Sequence, residues 1–163
     1  MAYADYKFYT ESFGNVVPET DFPRLAERAS DFVDLITHGR LTNGLPVNEY
    51  FQKRIKKAVC SLAETMYQIE LAEKNAINQA SVSVIDTNVG GKSTGIVTSV
   101  SSGSESISYA THQQIGASAK EWSAVYTVVG DTGKTNILLQ DKAKEFLTGI
   151  TTDDGVYLLY SGW

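Results

Sequence analysis

Hydrophobic positions recur along the first half of the chain at steps of three and four residues, the spacing that gathers side chains on one face of an α-helix. Between Tyr3 and Gly14, Tyr6, Tyr9 and Phe13 keep this step, and the closing glycine suits a helix end. The pattern is fuller from Asp21 to His38. There Phe22, Leu25, Ala26, Ala29, Phe32, Val33 and Ile36 share a face, while Glu27, Arg28, Asp31 and Asp34 occupy the others. Thr20 is placed to cap the first turn, Pro23 stands where a missing N–H costs little, and Gly39 follows the last apolar position as a terminator. A third helix is predicted from Asn48, a good N-cap, to about Gln79, with Phe51, Ile55, Val59, Leu62, Met66, Ile69 and Ala76 forming its stripe. At about 1.5 Å per residue it spans on the order of 45–50 Å. That is more than twice the mean helix of roughly 11–12 residues, so part of its length is expected to pack on something other than its short neighbours, a partner subunit being the obvious candidate.

The period changes between Ser81 and Ser118, where serine, threonine and glycine dominate. Alternation in Ser81-Val82-Ser83-Val84 and in Ser106-Ile107-Ser108-Tyr109 predicts strands. Gly95 to Val100 and Ser106 to Ala110 flank Ser101-Ser102-Gly103-Ser104-Glu105, which has the length and glycine of a hairpin connection. Asn88 to Thr94, containing Gly90-Gly91, reads as a second turn or a flexible tip. From Ser118 to Gly130 two readings stand: Trp122, Val125 and Val129 fit a helix, the preferred one, whereas Val125-Tyr126-Thr127-Val128-Val129 favours strand. A last helix is predicted from Thr135 to Leu147, with Leu139, Ala143, Phe146 and Leu147 on one side and Gly149 behind it. The expected fold is therefore mainly α: a small helical bundle with one long helix, an inserted β-hairpin and an extended C-terminal tail. We expect a single domain over residues 1–163, with 81–118 as the hairpin insertion and 150–163 as the tail.

Composition narrows the function. The chain has 163 residues, 42% hydrophobic, enough for one core of its own. A net charge of -5 leaves no chain-wide basic balance for nucleic acid or anionic lipid, so any DNA contact must be local. No stretch approaches the roughly 18 apolar residues of a membrane span, and the start, Met1-Ala2-Tyr3-Ala4-Asp5-Tyr6-Lys7, lacks the basic and apolar parts of a signal peptide; cytosolic synthesis is expected. Cys60, the single cysteine, sits among Ala58, Val59 and Leu62 and reads as a small buried residue.

Candidate chemistry is sparse. Gly91-Lys92-Ser93 and Gly133-Lys134-Thr135 invite a phosphate-loop reading, but the motif needs a glycine five residues earlier, where Asp86 and Val128 stand. Both read better as turns, the second before a helix. The two histidines, His38 and His112, have no carboxylate or cysteine spaced around them as metal ligands. No nucleophile signature arranges serine, histidine and aspartate, and Asp153-Asp154 before a glycine reads as a turn. Neither enzymatic activity nor a cofactor is expected.

Two features point instead to contacts. Lys53, Arg54, Lys56 and Lys57 make the first half of the long helix basic, whereas Glu64, Glu70 and Glu73 make the second half acidic. This order opposes the helix dipole and has a local cost, which suggests an external counter-charge: a neighbouring copy of the helix, or DNA in a channel. A solvated face is the plain alternative. The second feature is Val156, Tyr157, Leu158, Leu159, Tyr160 and Trp163 after the last helix. Each aromatic buries roughly 150–250 Å², so this tail must pack on its own core or on another chain.

The order of several short motifs resembles the head-tail connector, or adaptor, proteins of tailed bacteriophages. They are Tyr6-Lys7-Phe8-Tyr9, Phe22-Pro23-Arg24-Leu25-Ala26-Glu27-Arg28-Ala29-Ser30 and Ile55-Lys56-Lys57-Ala58-Val59-Cys60, then Ile96 to Val100 with Ser106-Ile107-Ser108-Tyr109. Ala143 to Gly149 followed by Leu158-Leu159-Tyr160-Ser161-Gly162 is similar to the family's closing helix and tail, although Ser161 stands where the family has a basic residue and the segment from Ser81 to Ser118 is enlarged. The resemblance implies a virion structural protein without enzymatic activity. Its subunits assemble as a ring, usually of twelve, between the portal and the stopper or tail, extend the DNA channel and complete the head. It also implies a location at the head-tail interface of the virion after assembly in the host cytoplasm, and a monomer until the portal templates the ring. Two other readings stand beside it: a tail-completion or stopper protein, and a small helical regulator that binds a host protein or DNA.

Overall fold

In the computed structural model, residues 2–82, 96–101, 106–110 and 124–160 are described. Among them the chain is mainly helical: α1 (Tyr6–Ser12), α2 (Phe22–Ile36), α3 (Glu49–Val82), α4 (Ala124–Val128) and α5 (Thr132–Leu147). Two strands, β1 (Ile96–Ser101) and β2 (Ser106–Ala110), pair antiparallel with an irregularity between Val97 and Ser99. Residues 102–105, expected as the connection of a hairpin, lie outside the described residues, as do Asn88 to Thr94 and Trp122. The chain divides into two compact units, residues 1–68 with 132–163, and residues 69–131.

Local chemistry explains the helix ends in the first unit. The Asp5 carboxylate accepts the Phe8 amide at 2.7 Å and caps α1, whose far end closes when the Phe13 amide donates to the Tyr9 carbonyl at 2.8 Å. At α2, Thr20 does not act as the cap. Asp21 stands at the N-cap position without a side-chain cap bond, and the amides of Asp21 and Phe22 donate to the Pro18 carbonyl instead. A backbone turn thus does the work expected of a hydroxyl. The end of α2 carries two successive left-handed residues, His38 at φ 55° and Gly39 at φ 70°, and the Gly39 amide returns to the Asp34 carbonyl at 2.8 Å.

Asn48 caps α3 as expected, its side-chain oxygen accepting the Tyr50 amide at 2.9 Å. The helix runs for 34 residues and includes Ser81 and Val82, so the first half of the expected Ser81 to Val84 strand closes α3; Ser83 and Val84 lie outside the described residues. The stretch with two readings contains α4, a helix. α5 begins earlier than expected, after Gly130 at φ 79°, so Gly133, Lys134 and Thr135 form its first turns rather than a turn preceding it.

The core of the first unit joins α1, α2, α3 and α5. Tyr9, Phe22, Leu25, Val33, Ile55, Val59, Leu62, Ala143 and Leu147 are fully or almost fully buried. The aromatic face of α1 meets α2 directly: the rings of Tyr9 and Phe22 stack with centroids 4.8 Å apart, and Tyr6 meets Phe22 edge-on at 5.5 Å. Polar groups within this core are bonded. The Tyr9 hydroxyl accepts the Val17 amide at 3.1 Å, and Ser30 donates to the Ala26 carbonyl at 2.7 Å.

Candidate functional site

The basic half of α3 separates into side chains used within the chain and side chains left facing out. Arg54 donates to the Glu145 carbonyl in the last turn of α5 at 3.2 Å, where a guanidinium also meets the negative end of that helix, and its charge stands 5.8 Å from the Tyr50 ring centroid. Lys56 lies over the Phe8 ring at 5.7 Å. Both therefore have structural work on α1 and α5. Lys53 is exposed and Lys57 half-buried, and neither makes an ion pair among the described residues.

The acidic half divides between the two units. Glu64 accepts the Tyr9 hydroxyl at 3.4 Å and belongs to the first unit, whereas Glu70 and Glu73 belong to the second, Glu73 being exposed. Burial, with a smaller contribution from the Glu64 charge, pushes the Tyr9 phenol above its ordinary range. Cys60 is fully buried and its thiol is pushed up to about 12, first by burial and then by Asp5 and Glu64, which holds it in the neutral form.

After α5 the chain folds back on itself instead of leaving as a free end. Ile150 and Leu158 are fully buried, the Leu158 amide donates to the Ile150 carbonyl at 2.9 Å, and Thr151 bridges antiparallel to Tyr157. Arg40 donates to the Leu158 carbonyl at 2.9 Å. Of the six tail side chains singled out from sequence, Leu158 thus serves this chain's own core and Leu159 packs against it. Val156, Tyr157 and Tyr160 are exposed, and Trp163 lies outside the described residues.

The turn at Asp153-Asp154-Gly155 meets a stretch that sequence reasoning passed over. Asp153 accepts the Val47 amide at 2.9 Å, and Gln52 on α3 donates to the Pro46 carbonyl at 2.9 Å. A cleft of about 160 Å³ opens there between Leu41, Leu45 and Pro46 on one side and Thr152, Asp153 and Asp154 on the other. Beside it Val47 and Tyr50 are 78% and 62% exposed. The available signal was that Tyr50, Lys53 and Lys57 recur on the helix face opposite Ile55 and Val59; an isolated valine before the cap gave none.

What this arrangement offers chemically is adhesion: exposed aromatic and aliphatic groups bordered by charges of both signs. Among the described residues no helix is long and apolar enough to cross a membrane, and no group of histidine, cysteine, aspartate or glutamate side chains is gathered to hold a metal ion. Compared with protein-family models, with curated proteins and with solved structures, the chain matches none.

Proposed function

We propose that this chain is a virion structural protein of a tailed bacteriophage, a head-tail adaptor that forms a ring between the portal and the stopper or tail. The observation that carries the reading is the order of motifs from Tyr6-Lys7-Phe8-Tyr9 through Ile55-Lys56-Lys57 to Leu158-Leu159-Tyr160. Two physical features support it. α3 is 34 residues long, more than its short neighbours need, and Val156 and Tyr157 are exposed behind α5. Surplus helix and exposed aromatics are what a subunit needs when identical neighbours and a portal complete its packing.

In this reading the fold is a helical bundle, the segment around β1 and β2 is a hairpin at a subunit contact, and the exposed Val156 and Tyr157 behind α5 meet the portal. The mechanism is adhesion and sealing. Lys53 and Lys57 supply the local positive charge that meets a neighbouring subunit. Each subunit makes two different side contacts, and such an interface closes only when the rotation between neighbours divides the circle.

The experiment is electron microscopy of the chain mixed with the portal protein encoded in the same genome. An added ring below the portal is expected. A chain that ignores portal, stopper and tail components alike overturns the reading.

A further inference from the structure

We propose that the first turns of α3, together with the turn at Asp153-Asp154, form a self-complementary face through which two free copies of this chain pair about a two-fold axis. Glu49, Tyr50, Lys53 and Lys57 lie on the side of α3 opposite Ile55, Val59 and Leu62, all three fully buried. Glu49, Tyr50 and Lys53 are exposed and Lys57 half-buried. The bond from the Val47 amide to Asp153 brings the acidic turn, with its exposed Val156 and Tyr157, to the N-terminal end of this face.

The face is therefore polar along its length. Glu49, Asp153 and Asp154 make one end negative, Val47 and Tyr50 are apolar, and Lys53 and Lys57 make the other end positive. Among the described residues Glu49, Lys53, Lys57 and Asp154 form no ion pair within the chain.

That polarity identifies the occupant. A nucleic acid would be drawn to Lys53 and Lys57 but repelled by Glu49, one helical turn from Lys53, and by the acidic turn at the other end of the face. A second copy turned through a two-fold axis at the level of residue 51, on the side of α3 away from the core-packed Phe51 ring, runs its helix antiparallel and satisfies both ends. Glu49 then faces the partner's Lys53, and Lys57 faces the stretch around the partner's Leu45, beside which the partner's Asp153 and Asp154 stand. Each contact occurs twice, as a closed isologous interface requires. The face is built from a few helical turns and one chain turn, smaller than a standard interface of roughly 1,600 Å², so the dimer is weak and salt-sensitive. It replaces the monomer that the adaptor resemblance implies for the isolated chain, and it stands or falls separately from ring assembly at the portal.

Sedimentation velocity of the full chain over a concentration series tests it. The expected result is a monomer-dimer equilibrium that shifts to monomer as salt rises. Lys53→Glu places like charges together twice and weakens the dimer by about tenfold or more, as does Glu49→Lys, and the double variant restores it because both contacts regain opposite charges. Circular dichroism shows that the variants fold. A monomer at every concentration, a dimer indifferent to Lys53→Glu, a double variant without recovery, or growth beyond the dimer overturns the proposal. Portal binding, tested separately, decides the ring reading whichever result is obtained here.

Discussion

The phenol of Tyr3 donates to Asp34 Oδ1 at 2.6 Å and lies 3.2 Å from the Leu41 carbonyl, tying the start of the chain to the outer side of α2 and to the loop behind it. The Tyr3 amide adds a bond to Ser30 at 3.0 Å. A hydrogen bond to a charged acceptor contributes more than a neutral one, so Tyr3→Phe is expected to lower stability by about 1–2 kcal/mol. Urea denaturation measures it. An unchanged midpoint would show that solvent replaces the phenol at no cost.

The same phenol gives stability a defined alkaline limit. Burial, then the Asp34 hydrogen bond and charge, push Tyr3 well above its ordinary value of 10.0, burial pushes Tyr9 up, and Cys60 rises from 9.0 to about 12. Above those ordinary values the unfolded chain releases protons that the folded chain still holds, so stability falls as pH rises. The contribution is fully present at neutral pH and is lost progressively from about pH 9 upward, first through the thiol. Denaturation midpoints between pH 7 and 11 should decline along this course, and less steeply in Tyr3→Phe. A flat profile to pH 11 contradicts the burial of Tyr9 and Cys60 and the bond from Tyr3 to Asp34.

His38 holds a left-handed conformation at φ 55° on an exposed position, where a β-carbon is strained and glycine is not. His38→Gly is expected to raise stability by about 1 kcal/mol, a gain reduced by the extra freedom glycine gives the unfolded chain. The thermal midpoint reports it. A loss of stability would mean that the imidazole makes a contact worth more than the strain.

Periodicity made the helices of the first unit legible, because the apolar faces of α2 and α3 face a core made of the same chain. Ile55, Val59, Leu62 and Met66 are buried as their spacing predicts, whereas Ala76, at the same phase, is exposed in the second unit. The capping side chain was legible at Asn48, whereas Asp5 at α1 was passed over and Thr20 was expected at α2, where the Pro18 carbonyl takes the amides instead. The charged run was visible as a run only. Its division into Arg54, spent on α5, and Lys53, facing out, depends on residues more than ninety positions apart. The same holds for the contact of Val47 with Asp153, which no local pattern encodes.

That division is testable. Arg54→Ala removes both the bond to the Glu145 carbonyl and the packing over Tyr50, and is expected to cost about 1 kcal/mol. Lys53→Ala, with no ion pair to lose, should stay within about 0.5 kcal/mol of the parent chain. Equal effects in urea denaturation would mean that the bond from Arg54 to α5 contributes nothing.

Leu158 and Tyr157 are neighbours in sequence with opposite duties. Leu158 is fully buried, bonded to Ile150 through its amide and to Arg40 through its carbonyl, whereas Tyr157 is 58% exposed. Deleting the whole tail would confound the two, since it removes a core side chain together with any anchor. Leu158→Ala should cost about 2–5 kcal/mol, as truncation of a buried leucine does, and weaken every function through unfolding. Replacing Val156 and Tyr157 together by serine should leave stability within about 0.5 kcal/mol and, on the proposed adaptor reading, reduce attachment to the portal, because an exposed aromatic at an interface is where binding energy concentrates. A folded Val156→Ser, Tyr157→Ser chain that still attaches like the parent would remove these two side chains from the portal contact and leave the tail as a closing strap of the core.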